Sequence, residues 1–332
     1  MLKKPLSPVS SPSVTHYQHR LAFSTKVFGI TLRLAGVILL IVQLVQAAMA
    51  IAAGEGVGLS IVAASAIALI LIFVSSPSIL GQAIAAFAKR SRQASFGKYL
   101  YALPFLITAL LIVIKLRVGP TSDEWRYMGS EGGLSEYGTA LIYLVVPLFT
   151  YRMAAAFNQQ GQKVAAWLYY LLSAGFFFVG MEELSWGQKL LGFEEPQFWS
   201  KNNAQSELTV HNLNVFQNWL HLGFLIVGLI GASCWLILRL WQSKRHNPQS
   251  LNTKSLDIRY LIPDWPISSF FYPIVVFYIL FDYTNFQYQV NFLHSSDEEH
   301  CEFIMALGIL LFVLIQFFRQ GRELDSMKLP LR

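Results

Sequence analysis

The chain is built from apolar blocks, several close to the ~20 residues an α-helix needs to cross a bilayer core of ~30 Å. They cover about 27–53, 57–80, 99–116, 137–157, 165–191, 213–240, 269–290 and 297–318. A soluble helix of that length breaks its apolar residues with polar ones at helical spacing, and these blocks do not. Composition agrees. Of 332 residues, 54% are hydrophobic and only 13% are charged, against about 25% charged in an ordinary soluble domain. The sequence therefore predicts an all-α, polytopic transmembrane helix bundle of about eight helices over residues 27–320.

Residues 1–26 are polar and rich in Ser and Pro, and are expected to form a disordered cytoplasmic tail. Residues 321–332 are expected to form a second, short cytoplasmic tail. The end of the first block, Ala47-Ala48-Met49-Ala50, has the small residues of a signal-peptidase site. The block is longer than a typical signal core of about 7–15 residues, so a retained helix is expected. Cys234 and Cys301 fall about 20 residues apart in depth, roughly 30 Å at 1.5 Å per residue, and no bridge between them is expected.

Charge sets the orientation. With the N-terminus inside, all but five of the 25 basic residues fall on the cytoplasmic side. All but four of the 19 acids fall outside or near the outer ends of helices. This is the asymmetry of the positive-inside rule. An even number of helices preserves it, and both termini are then cytoplasmic, in the plasma (inner) membrane. The basic residues form no run resembling a nucleic-acid-binding arm.

The outer face collects the chemistry. Glu182 and Glu183 stand late in the fifth block. Ionisable groups in a span cost a few kcal/mol and usually face a protein interior or a wet cavity. Consecutive helical residues point about 100° apart, so the two acids are expected to do different jobs. Either can serve as an acid or base, or as a metal ligand. Trp186 and Gln188 follow, a pocket wall or an interfacial anchor. His211 and Asn212 open the sixth block, Asn212 as a helix cap or a binding residue. His221 lies about two turns further in.

Asp282, Asn285 and Gln289 share one face of the seventh helix. His300 and Glu302 follow the acidic run Asp297-Glu298-Glu299. Ser296 with Glu299 reads as a capping box for the eighth helix. Asp123-Glu124-Trp125-Arg126 lies in the first large outer loop. The expected catalytic set is Glu182, Glu183, His211, Asp282 and His300. Trp186, Gln188, Asn212, Asn285 and Arg126 are the expected substrate-binding residues. No cofactor is specified by the pattern, although a Glu/His set of this kind can hold a divalent metal such as Zn²⁺.

The run Glu-Glu-Leu-Ser-Trp-Gly-Gln-Lys-Leu-Leu-Gly-Phe at 182–193, with Asn-Ala-Gln-Ser-Glu at 203–207 and His-Asn-Leu at 211–213, resembles the signature of a family of uncharacterised bacterial multi-pass membrane proteins. The resemblance covers about a tenth of the chain and implies no activity. A second similarity is to membrane-embedded CAAX-protease-like enzymes, which also place a Glu-Glu pair late in a helix and His residues on later helices. Gly187 stands where that pattern has Arg, and the later His spacing differs, so the similarity extends only to the type of chemistry.

The sequence points to a membrane-embedded hydrolase or transferase with an extracytoplasmic site. Its partners are the lipid bilayer and a lipid or lipid-linked substrate. Two other readings stand beside it: a transporter or channel with an acidic outer vestibule, and a non-catalytic membrane scaffold.

Overall fold

The computed structural model describes residues 14–54, 56–57, 59–76, 82, 94–129, 133–192, 194–203, 207–243, 258–284 and 292–328. The chain is 84% helical with no strands among these residues. The long elements are α1 (Val14–Ala52), α2 (Leu59–Val74), α3 (Ala94–Val118), α5 (Leu134–Gln159), α6 (Lys163–Glu183), α7 (Asn214–Ser243) and α9 (Glu298–Lys328). Two shorter ones are α4 (Asp123–Gly129), ahead of α5, and α8 (Tyr272–Asp282), ahead of α9.

Among the described residues, seven helical stretches are long and apolar enough to cross a membrane, which fits a multi-pass membrane protein. The second apolar block contributes α2, only 16 residues long. The last part of that block, residues 77–80, lies outside the described residues.

Several boundaries differ from the sequence expectation. α1 begins at Val14 rather than near Val27. Pro5, Pro8 and Pro12 all precede it, and no Pro or Gly interrupts residues 14–28, so the polar segment can continue the helix. At the other end α9 continues to Lys328 and takes in most of the expected tail. The fifth block is cut short. α6 stops at Glu183, followed by a 3₁₀ turn over Ser185–Gly187. Ser185 and Trp186 adopt φ of 47° and 52°, and Gly187 adopts 86°. Left-handed backbone of this kind cannot propagate a right-handed helix. The two glutamates are therefore the last residues of their helix.

α5 and α9 form the hub. About 61% of the apolar window of the α4–α5 stretch and 56% of that of α9 are buried, against 12–22% for α1, α3, α6 and α7. The peripheral helices turn Leu, Ile and Val outwards, for example Leu34, Ile38, Ile41, Leu110, Val113, Leu171 and Ile230. One core joins α5, α6 and α9 through Val145, Phe149, Met153, Tyr169, Val313 and Phe317. A second joins α3, α7, α8 and α9 through Leu100, Ala232, Ile274, Tyr278 and Ile304.

The two ends of the bundle differ in chemistry. At one, Arg319 contacts Asp264 at 3.0 Å, and Tyr260 donates to Glu323 and accepts from Tyr169 at its carbonyl. At the other meet the starts of α5, α7 and α9, the ends of α3, α6 and α8, and most of the described acids. Cys234 and Cys301 are both free thiols.

Candidate functional site

Glu182 and Glu183 leave the end of α6 in different directions. Glu182 turns towards the loop that leads to α7. Its Oε2 accepts hydrogen bonds from the backbone N–H of Val210 at 2.6 Å and of His211 at 3.0 Å, and lies 3.1 Å from His211 Nδ1. Its Oε1 accepts from Trp186 Nε1 at 2.6 Å. Four donors fill what one carboxylate offers. The same loop is tied down by Ser185 Oγ donating to Glu207 at 2.7 Å, and by Leu208 N–H donating to Gln188 Oε1 at 2.6 Å. Asn203 pairs with Leu213 in an isolated β-bridge and donates to Thr209 O at 2.9 Å. Glu182 thus pins the loop that carries His211.

Trp186 stacks edge-on against Phe178 and keeps 38% of its surface exposed. Asn212 is buried behind His211. Burial works against the charged form of the His211 ring. The hydrogen bond to Glu182 and the negative charges of Glu183 and Glu207 outweigh it and raise the His211 pKa above its ordinary value.

Glu183 faces the interior instead. One of its carboxylate oxygens lies with one each from Glu299 and Glu302 in a group whose members are all within 4.8 Å of one another. Glu299 and Glu302 are three residues apart on α9 and share a face. Glu136 of α5 and Glu298 lie within electrostatic range of Glu183. α6 can come this close to α5 because position 180 is glycine. A Cβ there would lie 3.0 Å from the Leu144 side chain and 3.1 Å from the Leu144 nitrogen. At about 5 Å and an effective dielectric of about 20, two like charges repel by about 3 kcal/mol. Three ionised carboxylates cannot share this space without a proton or a cation between them.

The remaining expected residues settle elsewhere around this end. Asp282 pairs with His221, both carboxylate oxygens 3.1 Å from Nδ1, in a half-exposed contact between α8 and α7. Next to it Tyr278 donates to Glu298 and packs against the His221 ring. His300 does not join the acid group. Its Nδ1 lies 2.6 Å from Ser135 Oγ, and its ring packs edge-on against Trp125. Arg126 is exposed on α4. Asn285 and Gln289 lie outside the described residues. The expected set therefore divides into a Glu182–His211 pair, a Glu183 cluster, an Asp282–His221 pair and a His300 contact.

Sequence reasoning missed two features here. The turn before α9 is closed by Asp297, which accepts from the backbone N–H of His294 at 2.8 Å, and Glu299 lies beside Glu183. The signal was the three-residue spacing of Glu299 and Glu302. The second feature is a buried ion pair between Lys115 at the end of α3 and Asp297, 2.5 Å apart, with Trp125 Nε1 donating to the other Asp297 oxygen at 2.9 Å.

Comparison with protein-family models, curated proteins and solved structures finds no match.

Proposed function

We propose that the chain is a membrane-embedded hydrolase or transferase that works on a lipid or lipid-linked substrate. On this reading it lies in the plasma (inner) membrane with both termini cytoplasmic and its acid-rich end outside. One observation carries the proposal: Glu183 stands at the end of a candidate spanning helix that carries no charge between Lys163 and Glu182, and is turned onto the acids of α9. A carboxyl group set among other acids in this way is placed to act as an acid or base. His211 lies within electrostatic range of Glu183, and its side chain is 31% exposed, so it can exchange protons with a substrate. Glu182 and Trp186 are positioning residues, because their hydrogen bonds hold the His211 loop.

A lipid substrate is favoured by the surface beside the site. Phe177, Phe178 and Trp186 are exposed along the end of α6, where an acyl chain can lie against them while its headgroup reaches Glu183. A transport reading asks for a polar site near the middle of the bundle. The hub there is packed with Val145, Val146, Phe149 and Val313 instead.

The test is the lipid profile of cells lacking the chain, complemented with wild type, Glu183→Gln or His211→Ala. Both variants are expected to accumulate the same lipid species as the empty strain while reaching the membrane normally. Full complementation by a normally inserted Glu183→Gln protein defeats the proposal.

A further inference from the structure

The acid group at the end of α6 has the composition of a cation site. We infer that Glu183, Glu299 and Glu302 together bind one hard divalent cation, of the Mg²⁺, Mn²⁺ or Ca²⁺ class. This deepens the enzyme reading of the same site and rests on its placement, but not on its reaction.

Three observations support it. The first is geometry. Oxygens up to 4.8 Å apart are spanned by one cation at about 2.4 Å from each of two opposite ligands, within the range for Ca²⁺. A small contraction suits Mn²⁺ or Mg²⁺. The second is charge. Ionised carboxylates at this spacing repel one another, a repulsion that one divalent cation offsets.

The third is independent of the acids. Thr139 is fully buried, and its hydroxyl oxygen has no hydrogen-bond partner among the described residues. Glu136, Thr139 and Tyr143 are spaced three and four apart, so they share one face of α5. Both flanking residues lie within electrostatic range of Glu183. Thr139 therefore lies on the face of α5 that Glu136 and Tyr143 present towards Glu183, where its hydroxyl is placed to serve as a further oxygen ligand or as a donor to a metal-bound water. A set made only of oxygens selects a hard cation over Zn²⁺, which prefers imidazole and thiolate.

The experiment uses the full chain, stripped with chelator and held in detergent or nanodiscs, and follows free Mn²⁺ by electron paramagnetic resonance. Wild type is expected to take up one Mn²⁺ and release it to excess Ca²⁺ or Mg²⁺. Glu183→Gln and Glu302→Gln should each weaken uptake at least tenfold and Thr139→Val a few-fold. Glu194→Gln, an exposed acid in the loop after α6, should bind as wild type does.

If a variant fails to fold, Ca²⁺-dependent thermal stabilisation of wild type against Thr139→Val provides the same comparison. Absence of Mn²⁺ and Ca²⁺ binding by folded wild type at millimolar metal overturns the inference. So does unchanged binding in folded Glu183→Gln and Glu302→Gln. A metal-free chain whose Glu183→Gln variant still alters cellular lipids removes the cation and keeps the acid–base reading. A chain that binds Mn²⁺ through these residues while Glu183→Gln complements fully keeps the cation and removes the enzyme.

Discussion

Adjacent glutamates with opposite consequences on mutation are the main lesson at the level of single residues. Glu182→Ala strands the N–H groups of Val210 and His211 and the indole of Trp186, and is expected to cost about 3 kcal/mol of unfolding free energy, read by denaturation in detergent. Glu183→Gln removes one member of a repelling set and is expected to leave stability unchanged or raise it in metal-free buffer. The division of labour was legible beforehand, because neighbours on a helix point about 100° apart. The partner of Glu183 was not. Ser296-x-x-Glu299 has the spacing of a cap, and only the folded turn shows Asp297 in that role.

His211 adds a dependence on pH. Its pKa is raised in the folded chain, so the Glu182–His211 contact stabilises fully below about pH 6.5, the ordinary imidazole value. That contribution is lost as pH rises through the folded value. The melting temperature of wild type should therefore fall relative to His211→Gln between pH 6 and pH 9. A difference that stays constant across that range contradicts the assignment.

At the scale of elements, helix ends and close helix contacts decide what the bundle can do. The end of α6 was hidden in the sequence, since apolar residues continue to Leu191 and non-glycine residues rarely adopt the φ found at Ser185 and Trp186. The long apolar blocks were legible because the bilayer length is written directly in them. α9 packs onto Phe270 through Gly308, where a Cβ would lie 2.5 Å from the Phe270 Cβ, next to backbone that cannot swing away. Phe270 is itself fully buried. Gly308→Ala is expected to destabilise by about 2 kcal/mol. Gly175→Ala, with open space around its new methyl group, should not destabilise. Thermal unfolding of the two variants side by side checks this.

For the whole molecule, the proposed orientation rests on the crowding of acids at one end. The acids of α6 and α9 gather at one end, and Arg319, Asp264 and Glu323 meet at the other. With both native cysteines replaced, Glu124→Cys should react with an impermeant maleimide from outside intact cells, and Asp264→Cys only after permeabilisation. The reverse pattern refutes the orientation. Charge counting addresses this polarity because it sums over many residues. It could not say which acids meet, because that depends on rotations of helices about their own axes.

The contact between Lys115 and Asp297 joins residues 182 positions apart. During synthesis α3 is made long before Asp297, so until then the Lys115 ammonium lacks this carboxylate partner. Completion of the chain is thereby made the event that ties the end of α3 to the turn before α9.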